Sequence, residues 1–402
     1  MPDLPFLPKF PIGISQLTLF GALLVLGLVA GEAFRRYLSL PRITGYAAAG
    51  IVLGPEVSGL LSRDTLFELR LLIDLSIGLV VFELGYRLNA DWLRRNRWLS
   101  AAALAESAVC FGAIFGTLTL FGFRPILAAT AAAIGTATSP AVVMLVASEL
   151  RAEGQVTERM LLFTAVNTVF AYVTLTLLLP FLHFEQKADL RMALLHPIYL
   201  FAGALLAGYL ACLLLLQLAR WVGKREERQF VLLIALIVLA IGIAHSLNLS
   251  VPLAVLALGM LARNLDRGHA LLPVRLGSGA QLFFVILFVL TGASLEFHAF
   301  GTAAVGAVVA FIVMRFLGKA LAVVALGRAS GISLRASAWL TVSLLPMSGL
   351  AVVMVRDTIS LYPSFGRELA AVVLSVIVVL ELLGPLATQW ALRRAGEARP
   401  GG

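Results

Sequence analysis

The sequence predicts an all-α polytopic membrane protein of about 13 transmembrane helices, with an outside N-terminus and an inside C-terminus. Composition, the spacing of apolar runs and the placement of positive charge predict it. Of the 402 residues, 60% are apolar and only 13% are charged, and mean hydropathy is +0.97. Soluble domains average about 45–50% apolar and about 25% charged residues, and disorder needs the opposite balance, so both classes are excluded. The formal charge of +9 would raise nucleic-acid binding, but the basic residues are scattered in short loops between apolar runs. Cys110 and Cys212 each sit inside such a run without neighbours at metal-ligand spacing, which excludes a disulfide framework or zinc site.

Lipid offers the backbone no hydrogen-bond partner, so a spanning helix needs about 20 largely apolar residues. Such runs lie near 14–34, 43–60, 69–88, 98–121, 125–149, 160–182, 197–218, 230–247, 250–264, 279–295, 301–326, 334–355 and 369–391. The first follows MPDLPFLPKF, whose single Lys9 does not make the basic start of a cleavable signal peptide, so this span is retained. The ninth is short and begins with Pro252. Residues 1–392 are expected to form one transmembrane unit and 393–402 a short cytoplasmic tail, with no soluble catalytic or sensing domain appended.

Assigning alternate loops to opposite sides gives one side 21 of the 31 Lys and Arg, among them Arg35, Arg36, Arg94, Arg95, Arg267, Arg275 and Arg393. The other side holds 8, including Lys9, Arg63, Lys187 and Arg367. The positive-inside rule places the richer side in the cytoplasm, which requires an odd number of spans. Arg315 and Lys319 remain, both inside the eleventh span and four residues apart on one helical face. A charge there costs about 2.5–3.5 kcal/mol on insertion scales and marks a functional candidate.

Transporters often bind their substrate where two helices in matching repeat positions are interrupted by Gly, Pro and hydroxyl residues. The fifth span contains Gly135-Thr136-Ala137-Thr138-Ser139-Pro140, and the twelfth contains Leu345-Pro346-Met347-Ser348-Gly349. Counted in five-helix blocks from the second and ninth spans, each is the fourth helix of its block. The third and tenth spans echo one another as Phe82-Glu83-Leu84-Gly85 and Phe288-Val289-Leu290-Thr291-Gly292. Simple kinks would give the same residues, but the matched positions favour a broken pair whose freed carbonyls face a cavity.

The run Leu40-Pro41-Arg42-Ile43-Thr44-Gly45-Tyr46, continued by Ala49-Gly50-Ile51-Val52-Leu53-Gly54-Pro55, resembles the second-helix signature of monovalent cation:proton antiporters of the sodium/hydrogen exchanger superfamily. Thr138-Ser139-Pro140-Ala141, Gly292-Ala293-Ser294-Leu295, Arg315 and Leu382-Leu383-Gly384-Pro385 extend the resemblance over nearly the whole chain. It implies inverted repeats with two broken, crossed helices in a mobile core domain beside a dimerisation domain, elevator-type alternating access and a homodimer. It also implies a multi-pass protein of the plasma (inner) membrane, no enzymatic activity and no cofactor, with H⁺ and Na⁺ or K⁺ as partners.

That family's sixth helix carries an aspartate for which proton and cation compete. Here Ala165-Val166-Asn167-Thr168-Val169 keeps an Asn but puts Thr168 at the aspartate position, and no acidic residue occurs between Arg159 and His183. Ser348-Gly349 replaces the glutamate that the family often has in its broken twelfth helix. Threonine does not titrate, whereas a buried carboxylate does so near neutrality. Asn167, Thr168, Thr138 and backbone carbonyls offer neutral oxygens to a dehydrated Na⁺ or K⁺ but cannot by themselves exchange it for a proton.

Glu106, inside the fourth span, is the first candidate for a substitute proton carrier, or else a structural partner of Arg315 or Lys319. The expected ion-site residues are therefore Glu106, Thr138, Ser139, Asn167, Thr168, Arg315, Lys319 and Ser348. Lys319 could instead snorkel to the interface. Glu83 is expected to pair with Arg87 and Asp74 with Arg70, and Glu381 to make a helix–helix hydrogen bond. His183, His196, His269 and His298 fall in or beside loops as solvated groups, while His245 ends the eighth span as a pH-sensitive surface group. Two other readings stand beside antiport. The same fold could carry an anion or small organic acid, or an uncoupled cation, because basic residues meet a site short of carboxylates; or the chain could be a non-transporting receptor or subunit.

Overall fold

The computed structural model describes residues 16–185, 190–266, 271, 277–295, 305–361 and 363–399. Lys9, Lys187, Arg267, Arg275, His269 and His298 lie outside them. The described residues form helices and no strands, and every apolar run expected to span overlaps one helix or one interrupted pair. In chain order these are α1 (Gln16–Leu38), α2 (Arg42–Leu53), α3 (Arg63–Glu68), α4 (Arg70–Arg87), α5 (Ala90–Arg95) and α6 (Arg97–Leu120). The first interrupted pair follows as α7 (Pro125–Thr136) and α8 (Pro140–Glu149), then α9 (Gln155–Glu185), α10 (Leu190–Val222), α11 (Glu226–Ser246) and α12 (Val251–Leu265). The chain continues with α13 (Gly277–Ala293) and α14 (Val305–Gly327), the second pair α15 (Leu334–Ser343) and α16 (Gly349–Leu361), and α17 (Pro363–Ala395).

Eight helices or interrupted pairs among the described residues are long and apolar enough to cross a membrane, and three shorter apolar helices accompany them. Boundaries depart from the sequence expectation where local chemistry intervenes. The second run stops at Leu53 because Gly54-Pro55 turns the chain out of the helix, leaving α2 only 12 residues long. Pro252 sits in the first turn of α12, where its missing N–H has no intrahelical role, so it starts that helix rather than breaking it. Helix α10 begins at Leu190, which places His196 inside a helix rather than beside a loop.

Packing joins distant parts of the chain. Helix α13 lies against α2, α4 and α12 run together with α10 and α11, and α6 lies along α14. Gly318 permits the last contact, since a Cβ there would stand 2.9 Å from the Cys110 α-carbon. The α7–α8 pair is buried along its length and is clasped by α4, α6, α9, α16 and α17.

Candidate ion site at the helix crossing

Each interruption has a local cause. Pro140 cannot donate a backbone hydrogen bond, and Ser139 caps α8 by accepting from the Val142 N–H at 3.4 Å. In the second pair Pro346 lies in the gap, and a Cβ at Gly384 of α17 would come 2.6 Å from its α-carbon. Glycine at 384 therefore lets α17 back directly onto the break.

The two breaks meet. The Ser139 N–H donates to the Pro346 carbonyl at 2.9 Å, the Thr138 hydroxyl donates to the Leu344 carbonyl at 3.2 Å, and the Ser139 and Ser348 hydroxyls bond to one another. Interrupted helices leave carbonyls at their C-terminal ends without intrahelical donors. Arg315 of α14 meets them: Nε donates to Gly135 O at 2.7 Å, Nη1 to Leu345 O at 2.7 Å and Nη2 to Ala137 O at 2.9 Å. Its guanidinium thus bridges both breaks and neutralises the negative ends of α7 and α15.

One turn further along α14, Lys319 is fully buried, so the expectation that it might snorkel to the interface is corrected. Its ammonium donates to Glu106 Oε1 at 2.5 Å, to Thr136 O at 3.2 Å and to Thr138 Oγ1 at 3.3 Å. Of the two partners weighed for Glu106, it is Lys319 that forms the ion pair. Asn167 joins the same atoms, with Nδ2 donating to Thr138 Oγ1 at 3.1 Å and to Glu106 Oε1 at 3.4 Å. Ser107, which sequence reasoning did not single out, fixes that amide by donating to Asn167 Oδ1 at 2.7 Å. Its signal was its place beside Glu106 in an otherwise apolar run.

Seven of the eight expected site residues therefore share one buried network. Thr168 stands apart from it: its hydroxyl donates to its own helix at Thr164 O, 2.9 Å away. The Lys319 ammonium occupies the place that the neutral oxygens of Thr138 and Thr136 would offer a free monovalent cation. One atom remains open, because Glu106 Oε2 is buried and has no hydrogen-bond partner.

Other charges sort as follows. Glu83 pairs with Arg87 at 2.8 Å, and Asp74 lies 3.9 Å from Arg70 and 3.3 Å from the His245 imidazole. Glu381 departs from expectation. It makes no helix–helix hydrogen bond; its carboxyl is buried and neither oxygen has a partner. Pro385, four residues on, lacks the N–H that would have bonded the Glu381 carbonyl, so this turn of α17 is under-bonded in main chain and side chain alike.

The sequence model of a family described as sodium/hydrogen exchanger, transmembrane, matches residues 20–394. No curated protein matches significantly. The fold is similar to that of the sodium proton antiporter MjNhaP1 from Methanocaldococcus jannaschii. A structure of that protein at pH 8 aligns with a TM-score of 0.65 at 16% identity, over 94% of this chain and 95% of the other. An electron-microscopy structure of it aligns with a TM-score of 0.69 at 17% identity, over 96% and 98%.

Proposed function

As a member of the sodium/hydrogen exchanger family, which the match over residues 20–394 establishes, this chain is a multi-pass membrane transporter, and we propose that it exchanges H⁺ for Na⁺ or K⁺ at the helix crossing. The proposal includes about 13 spans with the N-terminus outside, inverted repeats, elevator-type alternating access and a homodimer in the plasma (inner) membrane. The asymmetry of Lys and Arg between the two sets of loops supports the orientation. The paired breaks and the family support the alternating access.

The observation that carries the proposal is the Glu106–Lys319 pair at 2.5 Å, in which Oε1 takes the ammonium and Oε2 is left unpartnered. A buried, lipid-enclosed site tolerates little change in its total charge. A cation that binds Glu106 adds one positive charge, and the site recovers its former charge when one proton leaves the carboxylate–ammonium pair. Exchange at constant site charge thus needs no aspartate at position 168. Lys319 holds the site while the ion is away, and Thr138 and the Thr136 carbonyl supply neutral ligands when it arrives; Asn167 turns its amide N–H to these atoms and its oxygen to Ser107.

An anion reading needs a free cationic donor. Each Arg315 nitrogen already donates to a carbonyl of the broken helices, and the Lys319 ammonium is paired with Glu106, so both cations of the crossing are engaged by the protein's own acceptors. Purified protein in liposomes with an internal pH dye, challenged with Na⁺, K⁺ or Li⁺ gradients, tests the proposal. Cation-dependent proton movement that Glu106→Gln abolishes is expected. If no monovalent cation moves protons, antiport should be abandoned, and a gain of exchange in Thr168→Asp would then show that the scaffold lacks only a titrating group.

A further inference from the structure

The helices pack as two groups. α1, α2, α4, α11, α12 and α13 lie against one another, as do α6 to α9 and α14 to α17, which carry the crossing, and α10 joins the groups through α9 and α12. Between the groups runs a seam where α2 meets α8 and α17, α4 meets α8 and α9, and α13 meets α16. Helices α9 and α16 run away from the crossing to a cavity of ≈ 390 Å³ that they share with α4, α10, α11 and α12, so the seam is open at that end. Helices α8 and α17 run from the crossing the other way, to Glu149 and Gln389, and there the seam is bonded shut at the α1–α2 turn. Glu149 Oε2 accepts from the Arg42 N–H at 3.2 Å, and Gln389 Nε2 donates to the Ser39 carbonyl at 3.3 Å. Both bonds answer a local need of the turn. Helix α2 starts after Pro41 with no side-chain cap of its own, so the Glu149 carboxylate meets an uncapped positive helix end. The Arg42 guanidinium is turned to Glu32 at 3.0 Å, which leaves only its backbone N–H for Glu149. Ser39 has φ 55°, a left-handed conformation that is costly for a residue with a Cβ and persists where its neighbours hold it.

We propose that the α1–α2 turn is a catch that shuts its end of the seam while the cavity end stands open: Glu149 and Gln389 hold it from the group that carries the crossing, and both bonds part when the seam opens on the turn's side. The inference rests on the alternating access proposed above, whose orientation puts the turn at the cytoplasmic face. Sliding of one group past the other carries Glu149 off the start of α2, and its carboxylate then meets water in place of the Arg42 N–H. The strength of the catch therefore sets the balance between the two open states.

Hydrogen–deuterium exchange of the purified full chain in detergent reads both ends of the seam without requiring transport. Glu149→Leu combined with Gln389→Leu removes both bonds and keeps the bulk. Uptake should rise several-fold at residues 39–44 and fall at residues 70–78 and 353–358 of the cavity wall, because releasing the catch shifts the population toward closure there. Uptake that rises at both ends would mark simple loosening and, like unchanged uptake on the cavity wall, would overturn the catch. Ser39→Cys with Gln389→Cys tests it from the other side. The native Cys110 and Cys212 are buried, so a reducible bifunctional thiol reagent bridges the engineered pair alone. The bridged protein should keep the uptake of an open cavity wall and lose cation-driven proton movement until the bridge is reduced; undiminished proton movement while bridged would overturn the catch. A chain whose uptake shifts as expected but which moves no protons in any form would sink the exchange reading and leave the catch standing.

Discussion

Two polar regions interrupt the same apolar bundle, and they are built on opposite terms. At the crossing the protein supplies its own cations: Arg315 is spent on three carbonyls and Lys319 on Glu106, all within a fully buried network. In a cavity of ≈ 390 Å³ walled by α4, α9, α10, α11, α12 and α16, Arg70, Asp74, His245 and Asp357 instead line an open space with charges of both signs. Helix α9 connects the two, with Asn167 at the first and Tyr172 at the second. The contrast teaches that a crossing with threonine at position 168 balances its charge internally, through the Lys319 ammonium against Glu106. Under the proposed exchange an incoming ion would compete with Lys319 for that carboxylate.

The largest expected effect comes from breaking the crossing's own balance. Glu106→Ala leaves Lys319 buried without a counter-ion, and thermal unfolding in detergent should show a loss of about 3–5 kcal/mol. Combining Glu106→Gln with Lys319→Gln should recover most of it, and single variants as stable as the wild type would mean that the two regions do not differ in the way described. Arg315→Met removes three charge-assisted bonds to carbonyls of both breaks and should cost about 2–4 kcal/mol by the same measurement. Arg315→Lys should recover only part, because an ammonium cannot reproduce the planar fork that spans Gly135, Ala137 and Leu345. Gly318→Val wedges α6 from α14 and should cost about 1–3 kcal/mol, with a parallel loss of exchange as Glu106 is drawn away from Lys319. The smallest effect is expected at Glu381, a buried carboxyl without partners: Glu381→Gln breaks no hydrogen bond and should lower stability by less than about 1 kcal/mol, or raise it. A large loss there would reveal a role that its surroundings do not display.

Much of this architecture was legible in the sequence because a bilayer makes hydropathy decisive. The positions of Thr138, Ser139, Pro346 and Ser348 marked the breaks, and Arg315 and Lys319 stood out as charges in an apolar run. Their partners were not legible. Lys319 meets Glu106 across 213 residues of sequence, and helical periodicity says which residues share a face but not which helix lies opposite. Arg315 was visible but its targets were not, since every residue carries a carbonyl and only the broken geometry leaves these unbonded. Thr168 was read from its alignment with a family motif, whereas its hydroxyl bonds back to Thr164. Asp357 and Tyr172 escaped notice because a cavity formed by the ends of several helices leaves no linear pattern.

Proton release on cation binding tests the central claim most directly. Na⁺ or K⁺ added to purified protein in weakly buffered detergent should liberate about one proton per occupied crossing site, because the ion replaces a proton of the Glu106–Lys319 pair. Glu106→Gln should abolish the release, and Lys319→Gln should uncouple it from ion binding. Cation binding without proton release, or release undiminished in Glu106→Gln, would contradict exchange at this pair.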